Sequence, residues 1–272
     1  MKRPASVLQA PGSDGTSAGG PAQEPLRIRR EGDVLELRLM RPERGNALSA
    51  TLVARLHEAV MDASAEPQLR LLVLSGEGRH FCTGFDLSAL DAETDDSLLA
   101  RFTRVELLLQ AVHAAPFPTL ALAQGRTMGA GADLFAACSE RWIVGDASFA
   151  FPGAAFGLVL GTTRLAGQVG PALASAWIEG GAVIDAAAAL AAGLATRHIE
   201  ATQLASAMAA LQARGARLDL PTQRAIHAAV GAARRPRGDE GDAQDLARLV
   251  RSAARPGLRQ RIAAYRQAQR SP

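Results

Sequence analysis

Two stretches of this chain, LLVLSGEGRHFCTGFDLSAL (71–90) and TLALAQGRTMGAGADLFAAC (119–138), each carry a string of consecutive aliphatic residues directly into a glycine-containing turn. A strand that is apolar at every position must be covered on both faces, which is the situation of a parallel strand inside an α/β layer. Helical patterns stand around both runs. Ser49 precedes a helix through Ala63, in which Leu52, Val53, Leu56, Ala59 and Val60 recur at three and four residues and form one apolar stripe. A second helical period spans 97–112 and stops at Pro116 and Pro118, and GADLFAAC and ERWIVG then read as helix and strand. Strands alternating with helices predict an α/β domain with buried parallel strands.

Upstream, LRIRREGDVLELRLMRP alternates apolar and charged residues on both sides of Glu31-Gly32-Asp33 and predicts two half-buried strands joined by a tight turn. Residues 1–25 are Pro, Gly, Ser and Ala without an apolar run and predict a disordered arm. Residues 26–200 are then the α/β core. Beyond about 200 the strand signals stop, and 202–214, 221–233, 242–253 and 257–268 read as helices, giving a helical C-terminal region over 201–272.

With 272 residues, 48% of them apolar, the chain is long enough for a proper core, and no uninterrupted apolar stretch of about 18 residues is present to cross a bilayer. The two cysteines, Cys82 and Cys138, make neither a disulfide framework nor a zinc-site spacing; they read as small packing residues, and a reducing cytoplasm is expected. No metal site is expected. The net charge of +3 is unevenly spread: from Arg214 onward 13 arginines face 5 acidic residues, so the body before it is negative. Solvated helix faces are one reading of that tail and a surface for polyanions such as phosphates is the other. An RNA-binding tail is a further reading, disfavoured by an aromatic content of 4%, so no nucleic-acid partner is expected.

The glycine turns are where chemistry can sit. When a buried strand enters a glycine-rich turn that opens a helix, unpaired backbone N–H groups point outward together, and small residues let a ligand approach them. Gly129, Ala130 and Gly131 hold such a place, and Gly84 and Phe85 the comparable one in the first segment. Two N–H groups converging on one carbonyl oxygen form an oxyanion hole; ordinary strand-to-helix turns look the same in sequence. Gly129-x-Gly131 is not a dinucleotide fingerprint, because no third glycine stands at Asp133.

In order and spacing the two segments resemble the crotonase superfamily, the enoyl-CoA hydratase/isomerase family. The resemblance extends to Asn46-Ala47-Leu48, Ala115-Pro116-Phe117-Pro118-Thr119, the stretch from Phe149 to Gly157, Arg164-Leu165 and Gly193-Leu194. It implies a crotonase-like spiral of ββα units with a C-terminal helical region. It also implies an acyl-CoA thioester enzyme, a lyase or isomerase of fatty acid metabolism, whose enolate is held by the backbone N–H groups of Phe85 and Ala130. Coenzyme A enters as part of the substrate, with no tightly bound cofactor. Cys82, Gly84, Asp86, Leu87 and Gly129 would line its binding site. Homotrimers, often paired into hexamers, are implied, with the C-terminal arginines near the ADP phosphates.

The acid–base positions depart from the family. Of the two glutamates that face the substrate in its hydratases, the first matches Asp133 and the second matches Gly153. Hydration needs a group to activate water and often a second to share the proton traffic, so hydration is weakened. The reaction expected is proton shuttling at the α carbon, as isomerisation, a hydratase-like addition of low activity, or a lyase or decarboxylase variant. Asp133 has two readings. Burial would raise its pKa and make it a catalyst, whereas a first-turn position at a helix N-terminus would lower it. The acidic stretch Asp86, Asp91, Glu93, Asp95 and Asp96 reads as a solvated loop or as the source of a replacement acid; His80 and His113 read as surface or helix-end residues. The alternative function is a catalytically weak or inactive acyl-CoA-binding scaffold.

Overall fold

The computed structural model describes residues 24–269; the N-terminal arm expected over 1–25 lies almost wholly outside them. The first hairpin pairs β1 (Leu26–Glu31) antiparallel with β2 (Val34–Leu39), turning at Gly32, whose φ of +59° suits a residue without Cβ. Only β2 is half-buried. β1 exposes everything after Leu26 and so presents a charged edge, carrying Arg27, Arg29 and Arg30, that discourages pairing with another chain.

Ser49 caps α1 (Ala50–Ala65) by accepting from the Leu52 amide at 3.2 Å. β3 (Leu71–Gly76) follows, buried at every residue as its composition demands. Then come α2 (Asp95–His113), β4 (Thr119–Met128), α3 (Ala130–Ala137) and β5 (Glu140–Ala150). Strands β2 to β5 run parallel in the order of the chain, with β1 at one edge. β4 and β5 outrun the strands read from sequence. A register shift between Ala123 and Gly125 bends β4, after which Gly125 to Met128 pair with Ala147 to Ala150.

Alternate residues of each strand serve opposite faces. Leu72, Leu74, Ala121 and Ile143 pack with α1, α2 and α3, while Leu71, Val73, Leu120 and Trp142 pack beneath α7 (Leu204–Ala216). The Gly- and Ala-rich stretch between holds α4 (Thr162–Val169), α5 (Pro171–Glu179), β6 (Ile184–Asp185), α6 (Ala186–Ala191) and β7 (Arg197–Ile199), with β6 antiparallel and β7 parallel to β5. After α7 come α8 (Leu220–Arg234), α9 (Gly238–Ala253) and α10 (Leu258–Ala268). Residues 238–241, which lie between two of the expected helices, are the first turn of α9, where Asp239 and Glu240 suit the helix N-terminus.

α9 and α10 close a separate apolar cluster with α2, in which Leu249, Leu258 and Ile262 meet Leu98 and Phe102. Asp95 fixes the turn into α10 by accepting from the amides of Gly257 and Arg259, both at 2.8 Å. Seven of the twelve C-terminal arginines described are exposed, as solvated helix faces require, and four others are turned onto the chain itself. Arg224 donates to Glu66 O at 2.7 Å, Arg234 to Cys138 O at 2.9 Å, Arg261 to Phe156 O at 2.9 Å and Arg266 to Leu87 O at 3.0 Å. They satisfy main-chain carbonyls where elements end. Among the described residues no helix is long and apolar enough to cross a membrane.

Candidate active site

The two glycine turns lie side by side beyond the carboxyl ends of β3 and β4, the place where open parallel sheets bind ligands. Main-chain bonds hold them together. Met128 N–H donates to Cys82 O at 3.0 Å, Leu48 N–H to Gly84 O at 2.8 Å, Asp86 N–H to Leu48 O at 3.1 Å and Gly129 N–H to Ala150 O at 2.8 Å. Among the described residues, the amides of Phe85 and Ala130 have no acceptor within the chain.

The approach depends on absent side chains. A Cβ on Gly84, whose φ is +95°, would stand 2.6 Å from Met128 O and 3.6 Å from Ala130 N, and one on Gly131 would stand 2.8 Å from the Cys82 sulfur. Asn46, the one non-glycine residue with positive φ among the described residues, is fully buried behind the first turn. It accepts from Arg41 N–H at 2.9 Å and donates to Glu77 O at 2.9 Å and His80 O at 2.7 Å. That bracing role is legible in sequence only through Asn at a position that needs the left-handed region. The Phe85 ring is set by stacking on Phe102 at 4.1 Å, with the Arg101 guanidinium 4.2 Å from its centroid.

Phe85 and Ala130 both line a cavity of about 390 Å³. Gly84, Leu87, Gly129 and Asp133 line it, as do Phe102, Phe156, Leu158 and, from α10, Tyr265. Cys82 and Asp86, expected beside the cofactor portion, are not among its walls. Cys82 is fully buried, its thiol pushed up to about 12 by loss of solvent, and Asp86 is engaged with Arg41 at 2.8 Å and with the Ser88 amide at 2.9 Å. A second groove, of about 350 Å³, lies at the opposite end of the strands against α7 and α8.

Asp133 sits in the first turn of α3, where its own amide donates to Gly129 O at 2.9 Å. It is only 5% exposed, and its Oδ1 is buried without a hydrogen-bond partner. Of the two readings of this residue, burial prevails over the helix terminus: desolvation pushes the carboxyl up to about 8, against the pull of Arg164 and with added repulsion from Glu106. Gly161 leaves the room it occupies; a Cβ there would stand 2.6 Å from the Asp133 carboxyl carbon.

Gly153 also lines the cavity, so no second carboxylate stands at that wall. The acidic stretch supplies no substitute. Asp86 is paired with Arg41, Glu93 with Arg101, and Asp95 holds the turn into α10. His80 accepts from the Arg126 amide at 3.0 Å, and His113, lowered to about 4 chiefly by burial, contacts Ala137 O at 3.1 Å. Neither lines the cavity. Sequence reasoning passed over Glu106 and gave Arg164 no role. They form a buried bidentate pair at 2.6 and 2.9 Å.

The model of the enoyl-CoA hydratase/isomerase family matches residues 29–264. A Mycobacterium leprae protein described as an enoyl-CoA hydratase, echA6, is 37% identical over 172 residues, covering 60% of this chain and 67% of that protein. A peroxisomal Delta(3,5)-Delta(2,4)-dienoyl-CoA isomerase of Arabidopsis thaliana is 29% identical over 138 residues, 46% of this chain and 50% of that one. This chain thus spans about two thirds or less of the length of the curated relatives it matches. The crystal structure of a Bordetella parapertussis protein described as an enoyl-CoA hydratase/isomerase superposes with a TM-score of 0.82 at 39% identity, covering 91% of this chain and 99% of that one. The strand-to-turn geometry, the parallel sheet with its C-terminal helices and a match over most of the length agree, and the chain belongs to the enoyl-CoA hydratase/isomerase family.

Proposed function

We propose that this protein isomerises the double bond of an enoyl-CoA thioester, with the N–H groups of Phe85 and Ala130 holding the thioester oxygen and Asp133 carrying the proton. One observation carries the reading: two residues whose amides have no acceptor in the chain and a single buried carboxyl line the same cavity, and Gly153 brings no second acid to that lining. In its ionised form Asp133 takes a proton from the α carbon of a β,γ-enoyl thioester. The electron pair moves onto the carbonyl oxygen, where two preorganised donors in a water-poor site stabilise the charge by several kcal/mol. The same carboxyl returns the proton at the γ carbon as the charge collapses, leaving the α,β-enoyl product and no net proton change. One group serves both steps, whereas addition of water needs a second to activate it.

The substrate brings the coenzyme A, and Gly84, Leu87 and Gly129 lie where its thioester end would rest. The reading extends to a cytoplasmic enzyme of fatty acid metabolism assembled as a trimer or hexamer. Its free thiols, Cys82 and Cys138, suit a reducing compartment. On α8, Ile226 and Val230 stand 51% and 57% exposed one turn apart, a stripe that suits contact with another subunit. Incubation with a β,γ-enoyl-CoA in deuterium oxide tests the central step; α-proton exchange and product formation are expected from the wild type and not from Asp133→Asn, and wild-type exchange at the background rate overturns it.

Gly153 also supports a second reading, an acyl-CoA-binding scaffold without turnover. Calorimetry decides between the two: tight binding of the CoA ester with no conversion favours the scaffold, and absence of binding removes both.

A further inference from the structure

Two buried charges act on Asp133 from a distance without taking part in the proton transfer. Glu106 on α2 and Arg164 on α4 have side chains 1% and 4% exposed and meet through two parallel bonds, Nη1 to Oε1 at 2.9 Å and Nη2 to Oε2 at 2.6 Å. Gln110 adds a third bond to Oε1 at 2.8 Å and also donates to Asp242 O on α9 at 2.8 Å. Such a pair is costly to bury, and an apolar pair of similar volume often serves stability as well or better. Its place gives a reason for it. Arg164 lies one residue after the Thr162-Thr163 start of α4, and Gly161, the residue that packs against the Asp133 carboxyl, is the N-cap of that helix, accepting from Leu165 N–H at 3.0 Å.

We propose that Glu106 and Arg164 are positioning residues for Asp133, anchoring the first turn of α4 so that Gly161 closes against the carboxyl. The proposal deepens the reading of Asp133 as the proton carrier and rests on it. Around α3 the charged and titratable groups include Glu106 from α2, Arg164 from α4, the Cys82 thiol against Gly131, Arg126 from β4 and Tyr265 of α10 at the cavity wall, with His113, Cys138, Arg141 and Arg234 at the far end of the helix. Arg164 favours the ionised carboxyl and Glu106 the neutral one. Removing either must therefore move Asp133 in opposite directions, which a purely structural role would not do.

The test is the carboxyl ¹³C NMR titration of Asp133 in the full-length protein without substrate, the signal being assigned by its loss in Asp133→Asn. Glu106→Gln is expected to lower the midpoint by about one pH unit, tenfold in proton concentration, and Arg164→Met to raise it by a similar amount. Where either fails to fold, Glu106→Asp and Arg164→Lys, which keep the charge on an altered arm, are expected to move it the same respective ways by about half as much. Midpoints that stay at the wild-type value, or that move in one common direction, overturn the proposal. Opposite shifts in a protein without isomerase activity would remove the functional reading and keep the pair's action on Asp133. Unmoved midpoints in an active enzyme would do the reverse.

Discussion

The Met128 amide donates to the Cys82 carbonyl at 3.0 Å, and this bond fastens the turn after β3 to the turn after β4. Each turn carries one amide without an acceptor in the chain, that of Phe85 and that of Ala130, so the spacing of the two depends on this contact and on the glycines that permit it.

Gly84→Ala tests that spacing. The new methyl would lie 2.6 Å from Met128 O in a residue whose φ is +95°. Strain of about 1–3 kcal/mol is expected in the melting curve. Displacement of a donor is expected to lower kcat by about 10²-fold, measured with a β,γ-enoyl-CoA.

Asp133→Asn is expected to abolish turnover while stabilising the protein at neutral pH. Below the ordinary carboxylate value of 3.8 the group is protonated whether folded or not, and it makes no difference. As pH rises from 3.8 towards about 8, the unfolded chain ionises while the buried carboxyl holds its proton, so the folded state loses stability through this window and no more above it. Asparagine removes that loss, about 4–5 kcal/mol at pH 7–8, and thermal melts of both proteins across pH 4–9 should diverge accordingly. Because the base must be ionised, wild-type kcat/KM is expected to climb about tenfold per pH unit and level off near 8.

Gly153→Glu should confer hydration. A Cβ at 153 would find nothing nearer than Leu158 Cβ at 3.7 Å, so the carboxyl can enter the cavity without displacing backbone. Hydration of an α,β-enoyl-CoA, followed by loss of its ultraviolet absorbance, is expected to rise by about 10²-fold over wild type.

Ile226→Asp combined with Val230→Asp addresses assembly. Both side chains are more than half exposed, so the monomer should fold normally, while the charged stripe prevents contact with a second subunit. Light scattering after gel filtration should show wild-type trimers or hexamers and variant monomers.

Much of the layer order was legible because burial leaves a mark on composition. LLVLSG opens on four consecutive aliphatic residues and proved buried at every position, and Ser49 before an apolar stripe proved a helix cap. The continuation of β4 past Gln124 was not, since a glycine after a strand signals a turn as readily as a bulge. Asp133 was found by resemblance, but the sign of its shift required knowing that all of α3 is buried. Glu106 left a usable signal that was passed over. Four residues after Phe102 and three before Leu109, it lies on the apolar stripe of α2, and a charge there calls for a partner. Arg164 was that partner, 58 positions along, a distance no periodicity spans.

α10 grips the rim of the cavity through Arg266 to Leu87 O and Arg261 to Phe156 O, both bonds ending on main-chain oxygens. Every amino acid supplies that acceptor. Mutations can therefore reshape the side chains of Leu87 and Phe156, and with them the room for an acyl tail, while the clasp persists. Substrate preference in this scaffold is in this way free to drift separately from the fastening of its C-terminal helix.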